Sequence, residues 1–116
     1  VFHSGDTETH PYVFKEIGKH MAKRHGGCDV GLMSIGAYAP RKMMRGSHMI
    51  PEGGVQLGRE IGCQKLVPMH WGTFTLSLEP AEEPYERFRE AARLETLRMK
   101  IGETLGLDNL SIKLEN

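Results

Sequence analysis

Along the chain, apolar residues gather in short runs and helix-spaced stripes, separated by turn-forming residues. Val1–Ser4 reads as a strand, and Gly5-Asp6-Thr7 ends it with a turn that leaves a carboxylate at the strand's C-terminal edge. Pro11 suits the first position of a helix reaching about Arg24, in which Val13, Ile17 and Met21 recur at spacing four. Gly26-Gly27 stops it, and Asp29–Tyr38 follows as an apolar strand of the kind buried on both faces. Ala39–Met49 has no regular period; with Pro40, Arg41, Lys42, Arg45, Gly46 and His48 it predicts a long basic loop.

Pro51–Ile61 predicts a weak helix. Ile50 offers no capping oxygen, and Gly53, Gly54 and Gly58 each cost up to ~1 kcal/mol relative to Ala in a helix interior. Lys65–Met69 reads as a strand entering the interior, Thr75–Glu83 as an irregular connection, and Pro84 to about Thr104 as a longer helix. Leu110–Leu114 alternates in period two, as a half-buried edge strand does. The sum is an α/β layered domain with a mixed sheet of about four strands and about three helices. Three helices cover one face of such a sheet, so the other face needs a further segment or a second chain.

Composition narrows the partners. A chain of 116 residues fits one domain, and its 15 basic and 15 acidic residues cancel. Nucleic acid, which needs clustered positive charge, is therefore excluded as the expected partner. No apolar run approaches the ~20 residues that span a bilayer, and a cytoplasmic protein is expected. Cys28 and Cys63 lack C-x-x-C spacing and read as reduced, partly buried thiols rather than a disulfide. The chain opens on a strand-like Val1-Phe2-His3-Ser4, which leads to the expectation of a partial domain over residues 1–116.

Candidate chemistry lies at two strand ends. His70 closes the Lys65–Met69 run and is followed by Trp71 and Gly72, where a strand gives way to a loop. Alone, that stretch fits a packed strand-end histidine beside a tryptophan. Asp6, placed in the same way after the first strand, raises its interest. His20 and His25 flank a basic helix end and read as surface residues.

Five short stretches in order extend the pattern: S-G-D-T (Ser4–Thr7), F-K-E-I-G-K (Phe14–Lys19), I-G-A-Y-x-P-R (Ile35–Arg41), H-x-x-P-E (His48–Glu52) and H-W-G-T-F (His70–Phe74). Together they resemble the C-terminal half of the metallo-β-lactamase superfamily, in the branch of N-acyl-phosphatidylethanolamine phospholipase D-like metal-dependent hydrolases. The resemblance implies half of a four-layer αββα fold. It matches Asp6 to a carboxylate bridging two zinc ions and His70 to a histidine ligand of the second ion. It matches His48 to a histidine near the substrate's phosphoryl or carbonyl oxygen, and it makes Arg41 and Tyr38 candidate substrate-binding residues. A carboxylate has two oxygens to span a pair of cations, and imidazole suits zinc. Two close metals lower the pKa of a shared water and clamp the anionic transition state.

The superfamily's H-x-H-x-D-H element is absent from the chain, and Glu8 and Thr9 stand where a small residue and an aromatic are usual. The resemblance therefore implies part of a hydrolase, acting on a phosphodiester or other small-molecule or lipid-like ester and inactive as the isolated 116-residue chain. A lactonase sharing the same ligands, or a non-catalytic α/β interaction module that pairs through an uncovered sheet face, are the alternative readings.

Overall fold

The structure is a computed structural model that describes residues 1–109. Its elements run β1 (Phe2–His3), α1 (Val13–His25), β2 (Cys28–Ser34), a helical turn α2 (Arg41–Met44), α3 (Pro51–Ile61), β3 (Cys63–Met69) and α4 (Glu83–Ala92). Single 3-10 turns follow at Arg93–Glu95 and Leu107–Asn109. Among the described residues the sheet has three strands in the order β1-β2-β3, all parallel. The expected strand at Leu110–Leu114 lies outside the described residues.

Parallel pairing sends all three strands toward one edge, in the register Phe2↔Gly31 and Ser34↔Met69. Whatever follows each strand therefore gathers at a common rim, where α/β sheets place their ligands. The main core lies on one face, where Phe14 of α1, Val55, Leu57 and Ile61 of α3, and Phe88 and Ala92 of α4 pack with Met33, Ile35 and Leu66. Burial of these side chains is what stabilises helices this short.

The glycines that weaken α3 as a helix are what let it reach the sheet. A Cβ on Gly58 would fall 2.4 Å from Leu66 Cδ2, and one on Gly18 of α1 would fall 2.4 Å from the carbonyl oxygen of Glu60. Close approach of backbone to its neighbour offsets the entropy that glycine costs. The start of α1 has a different support: Tyr12 offers no side-chain cap, and His10 Nδ1 accepts the Val13 amide at 3.3 Å.

Three expectations are corrected. The basic stretch Ala39–Met49 is not wholly irregular, because α2 forms one turn inside it. The last helix ends at Ala92 instead of running to Thr104: Arg93 takes a left-handed φ of 50°, and the chain crosses to the other side of the sheet. There the Leu97 amide bonds the Leu66 carbonyl at 2.8 Å, and Leu97 packs on Val30 and Val67. Burial of Leu97 on that face outweighs continued helix. Finally, Cys28 and Cys63 form a disulfide. They are paired residues at the starts of β2 and β3, with Cα atoms 4.4 Å apart, so strand register brings together two thiols that sequence spacing keeps 35 residues apart.

Candidate functional site

Asp6 leaves the turn after β1 and His70 leaves the end of β3, with β2 between them. Their backbones thus start two strand spacings apart, roughly 10 Å, yet the side chains lean over the end of β2 until Asp6 Oδ2 lies 3.7 Å from His70 Nε2. Local bonds fix the turn. Ser4 Oγ donates to the Gly5 carbonyl and accepts the Ser34 amide, both at 3.0 Å, while the Gly5 amide donates to His3 Nδ1 at 3.0 Å. The Asp6 side chain itself is 68% exposed and open to a ligand.

His70 is one of the few non-glycine residues in the left-handed region, with φ 62°, a conformation that costs a β-carbon residue energy and persists only where its surroundings enforce it. Gly36 makes room for the turn, since any β-carbon there would collide with the His70 carbonyl. On the other side Trp71 stacks on Tyr85, centroids 5.1 Å apart, and its indole N–H donates to the Pro68 carbonyl at 3.4 Å. The tryptophan is thus a packing anchor for the turn that carries His70.

His48 comes from the loop between α2 and α3, and its ring stacks on His70 with centroids 5.4 Å apart and planes 17° apart. Its Nδ1 is buried without a hydrogen-bond partner among the described residues. Arg41, the first residue of α2, donates from Nη1 to the His48 carbonyl at 2.6 Å and from Nη2 to Glu8. Burial pushes the Glu8 carboxyl upward, but bonds from the Thr9 amide, Arg41 and the Gly46 amide outweigh it and hold the group below the usual carboxylate range.

Tyr38 stands apart from this group. It is buried, donates its hydroxyl to Glu83 and lies 4.9 Å under the Arg87 guanidinium, which also forks onto Glu52 at 2.8 and 2.7 Å. Burial first, and then the Glu83 carboxylate, raise the phenol above its ordinary value. Tyr38 therefore belongs to a polar lock between the β2 exit, α3 and α4.

A cavity of about 160 Å³ opens beside His70, lined by Gly36, Ala37, Trp71 and, in the segment from Thr73 to Ala81, every residue but Leu78. Along that segment Phe74, Leu76 and Leu78 project outward and are exposed. Glu79 holds the wall in place: its carboxylate accepts the Ala37 and Ala39 amides at 2.5 and 3.0 Å and the Ser77 hydroxyl at 2.6 Å. Sequence reasoning missed Glu79, Glu8 and Ser4, because their partners lie 30 to 42 residues away. The single available signal was Glu8 itself, an acidic residue two positions after Asp6 facing a basic loop.

Among the described residues no three His, Cys, Asp or Glu side chains cluster closely enough to hold a metal ion. Asp6 and His70 nevertheless fit two positions around one. Zinc–oxygen and zinc–nitrogen bonds of ~2.0–2.2 Å at a tetrahedral angle put the two donor atoms about 3.4 Å apart, close to the 3.7 Å observed.

Comparison with known proteins gives the family. The family model described as a beta-lactamase superfamily domain matches residues 1–71. A Saccharomyces cerevisiae protein named N-acyl-phosphatidylethanolamine-hydrolyzing phospholipase D, mitochondrial, is 30% identical over 79% of this chain and 19% of its own length. Its Caenorhabditis elegans counterpart is 31% identical over 74% of this chain and 23% of its own. An uncharacterized Mycobacterium tuberculosis protein is 37% identical over 76% and 23%. The chain thus spans about a fifth of the length of these relatives. No helix among the described residues is long and apolar enough to cross a membrane.

Proposed function

The chain belongs to the beta-lactamase superfamily, on the branch of the N-acyl-phosphatidylethanolamine phospholipase D-like hydrolases, and from that premise we propose that it forms part of a zinc-dependent hydrolase of phosphodiesters or other esters. The 3.7 Å approach of Asp6 to His70 carries the proposal. These two side chains would hold zinc, and the other ligands would come from a segment outside the 116 residues that bears the H-x-H-x-D-H element. Zinc, when bound, supplies a water of lowered pKa and a clamp for anionic charge.

The chain's own residues do the rest. Asp6 offers an exposed carboxylate, and His70 presents Nε2 from a turn packed close to Gly36 and anchored by Trp71. His48, stacked on His70, would hydrogen-bond an oxygen of the scissile group. Arg41 brings positive charge to the same side, and two of its five N–H donors account for the Glu8 and His48 bonds. Tyr38, buried against Glu83 and Arg87, would affect substrate only through the loop it anchors. The exposed Phe74, Leu76 and Leu78 beside the cavity support a lipid-like ester as substrate. The same exposed residues favour the second reading, an interaction module that uses this strip to pair with another chain.

The test is hydrolysis of bis(4-nitrophenyl) phosphate and of a simple lactone by the complete polypeptide. Phosphodiester turnover abolished by His70→Ala and by Asp6→Asn supports the proposal; preferred lactone turnover shifts it to a lactonase. Turnover of neither, with a folded protein, contradicts it and favours the interaction module.

A further inference from the structure

We propose that Glu8 is a positioning residue for His48, acting through Arg41; this rests on the reading of His48 as the group that faces the scissile bond. Glu8 lies two residues past Asp6, and its carboxylate is satisfied on both oxygens. Oε1 accepts the Thr9 amide at 2.9 Å and the Thr9 hydroxyl at 3.2 Å, and Oε2 accepts Arg41 Nη2 and, at 3.4 Å, the Gly46 amide. Arg41 opens α2 and Gly46 follows it, so one carboxylate grips both ends of that turn.

The other arm of the Arg41 fork donates to the His48 carbonyl at 2.6 Å. A planar guanidinium offers its donors in fixed directions, so its position on Glu8 dictates where the His48 backbone sits. The remaining bonds of the loop are local: the Ser47 and His48 amides both donate to the Met44 carbonyl, and the Arg45 amide to the Arg41 carbonyl. The polar link across to the Asp6 turn therefore runs through Glu8. The link also spans the candidate site. Asp6 and Glu8 share a turn, His48 stacks on His70, and His70 faces Asp6, so the path from Glu8 through Arg41 closes a ring around the place where substrate would react. A lysine at 41 keeps the charge and loses the fork, and glutamine at 8 keeps the shape and loses the charge. Both variants spare the core, because Glu8 and Arg41 lie outside it.

The experiment uses the complete polypeptide with ¹³C-labelled histidine rings. In Glu8→Gln and Arg41→Lys the His48 ring signals should shift and broaden while the signals of His20 and His25 stay put. Turnover of bis(4-nitrophenyl) phosphate should fall in kcat by on the order of tenfold or more, as small misplacement of a reacting group does, with KM within about twofold. The double variant should be no worse than the worse single one, since the two residues act as a unit. Unmoved His48 signals in both single variants overturn the proposal, and so does a fall in thermal stability with kcat intact. Metal retention separates the two readings. Zinc bound with His48 indifferent to Glu8 overturns this inference alone; a His48 ring that answers to Glu8 in a protein that binds no zinc supports the link and overturns the metal reading.

Discussion

Gly36 lies so close beneath His70 that a β-carbon at position 36 would sit 2.0 Å from the His70 carbonyl oxygen. The absence of a side chain two residues past the end of β2 is therefore what allows the turn after β3 to bring its imidazole toward Asp6. Backbone cannot yield as the tip of a flexible side chain can, so Gly36→Ala must push the His70 turn outward. We expect a loss of about 1–3 kcal/mol of stability from the overpacking and weaker zinc binding at His70, measured by thermal melting and zinc titration. Unchanged zinc affinity in a folded Gly36→Ala protein would contradict this role.

The pairing of Cys28 with Cys63 makes a chemical prediction. The purified protein should resist alkylation until it is reduced, and then take up label at both positions. Closing a loop of 35 residues restricts the unfolded chain enough to contribute about 3–4 kcal/mol in the loop-entropy account, so reduction should lower the melting temperature markedly. Free thiols reacting in the folded, unreduced protein would restore the expectation drawn from sequence.

Glu79 gives a pH dependence whose direction is set by its partners. Burial raises its carboxyl, but the Ser77 hydroxyl, its own backbone amide and the amides of Ala39 and Ala37 together outweigh it and hold the group below 4.5. A lowered carboxylate means that the unfolded chain binds more protons, so this contribution is present above the ordinary value of 4.5 and is lost as pH falls through the lower folded value. Glu79→Gln should destabilise the protein by roughly 1–3 kcal/mol near neutrality and flatten the acid limb of its stability curve. Denaturant melts from pH 6 down to about pH 3 measure both; parallel acid limbs in the two proteins would sink the prediction.

Much of this arrangement was legible in the chain. The stripe of Val13, Ile17 and Met21 marked α1, and Gly26, where the helix stops, takes a left-handed φ, as Gly62 does after α3. Asp6 and His70 were recognisable together because each closes a strand-like run and each belongs to one of five motifs in order; that parallel pairing sends both strand ends to one rim is what the fold adds. The rest depended on contacts across the sequence. No local pattern states that position 28 stands opposite position 63, and nothing in a helical run past Ala92 reveals that Leu97 is needed on the far face of the sheet. The glycines of α3 looked like weakness because their use lies in Leu66, another element's side chain. The roles of Glu8 and Glu79 were not legible because the guanidinium and amides they hold are remote in sequence.

Zinc stoichiometry decides most directly whether Asp6 and His70 form a metal site. The complete polypeptide, freed of metal with a chelator and reloaded, should bind about two zinc ions per chain as two-metal hydrolases do, and His70→Ala and Asp6→Asn should each reduce that number while leaving the fold intact. Equal zinc content in the wild type and both variants, or none in any of the three, would contradict the account.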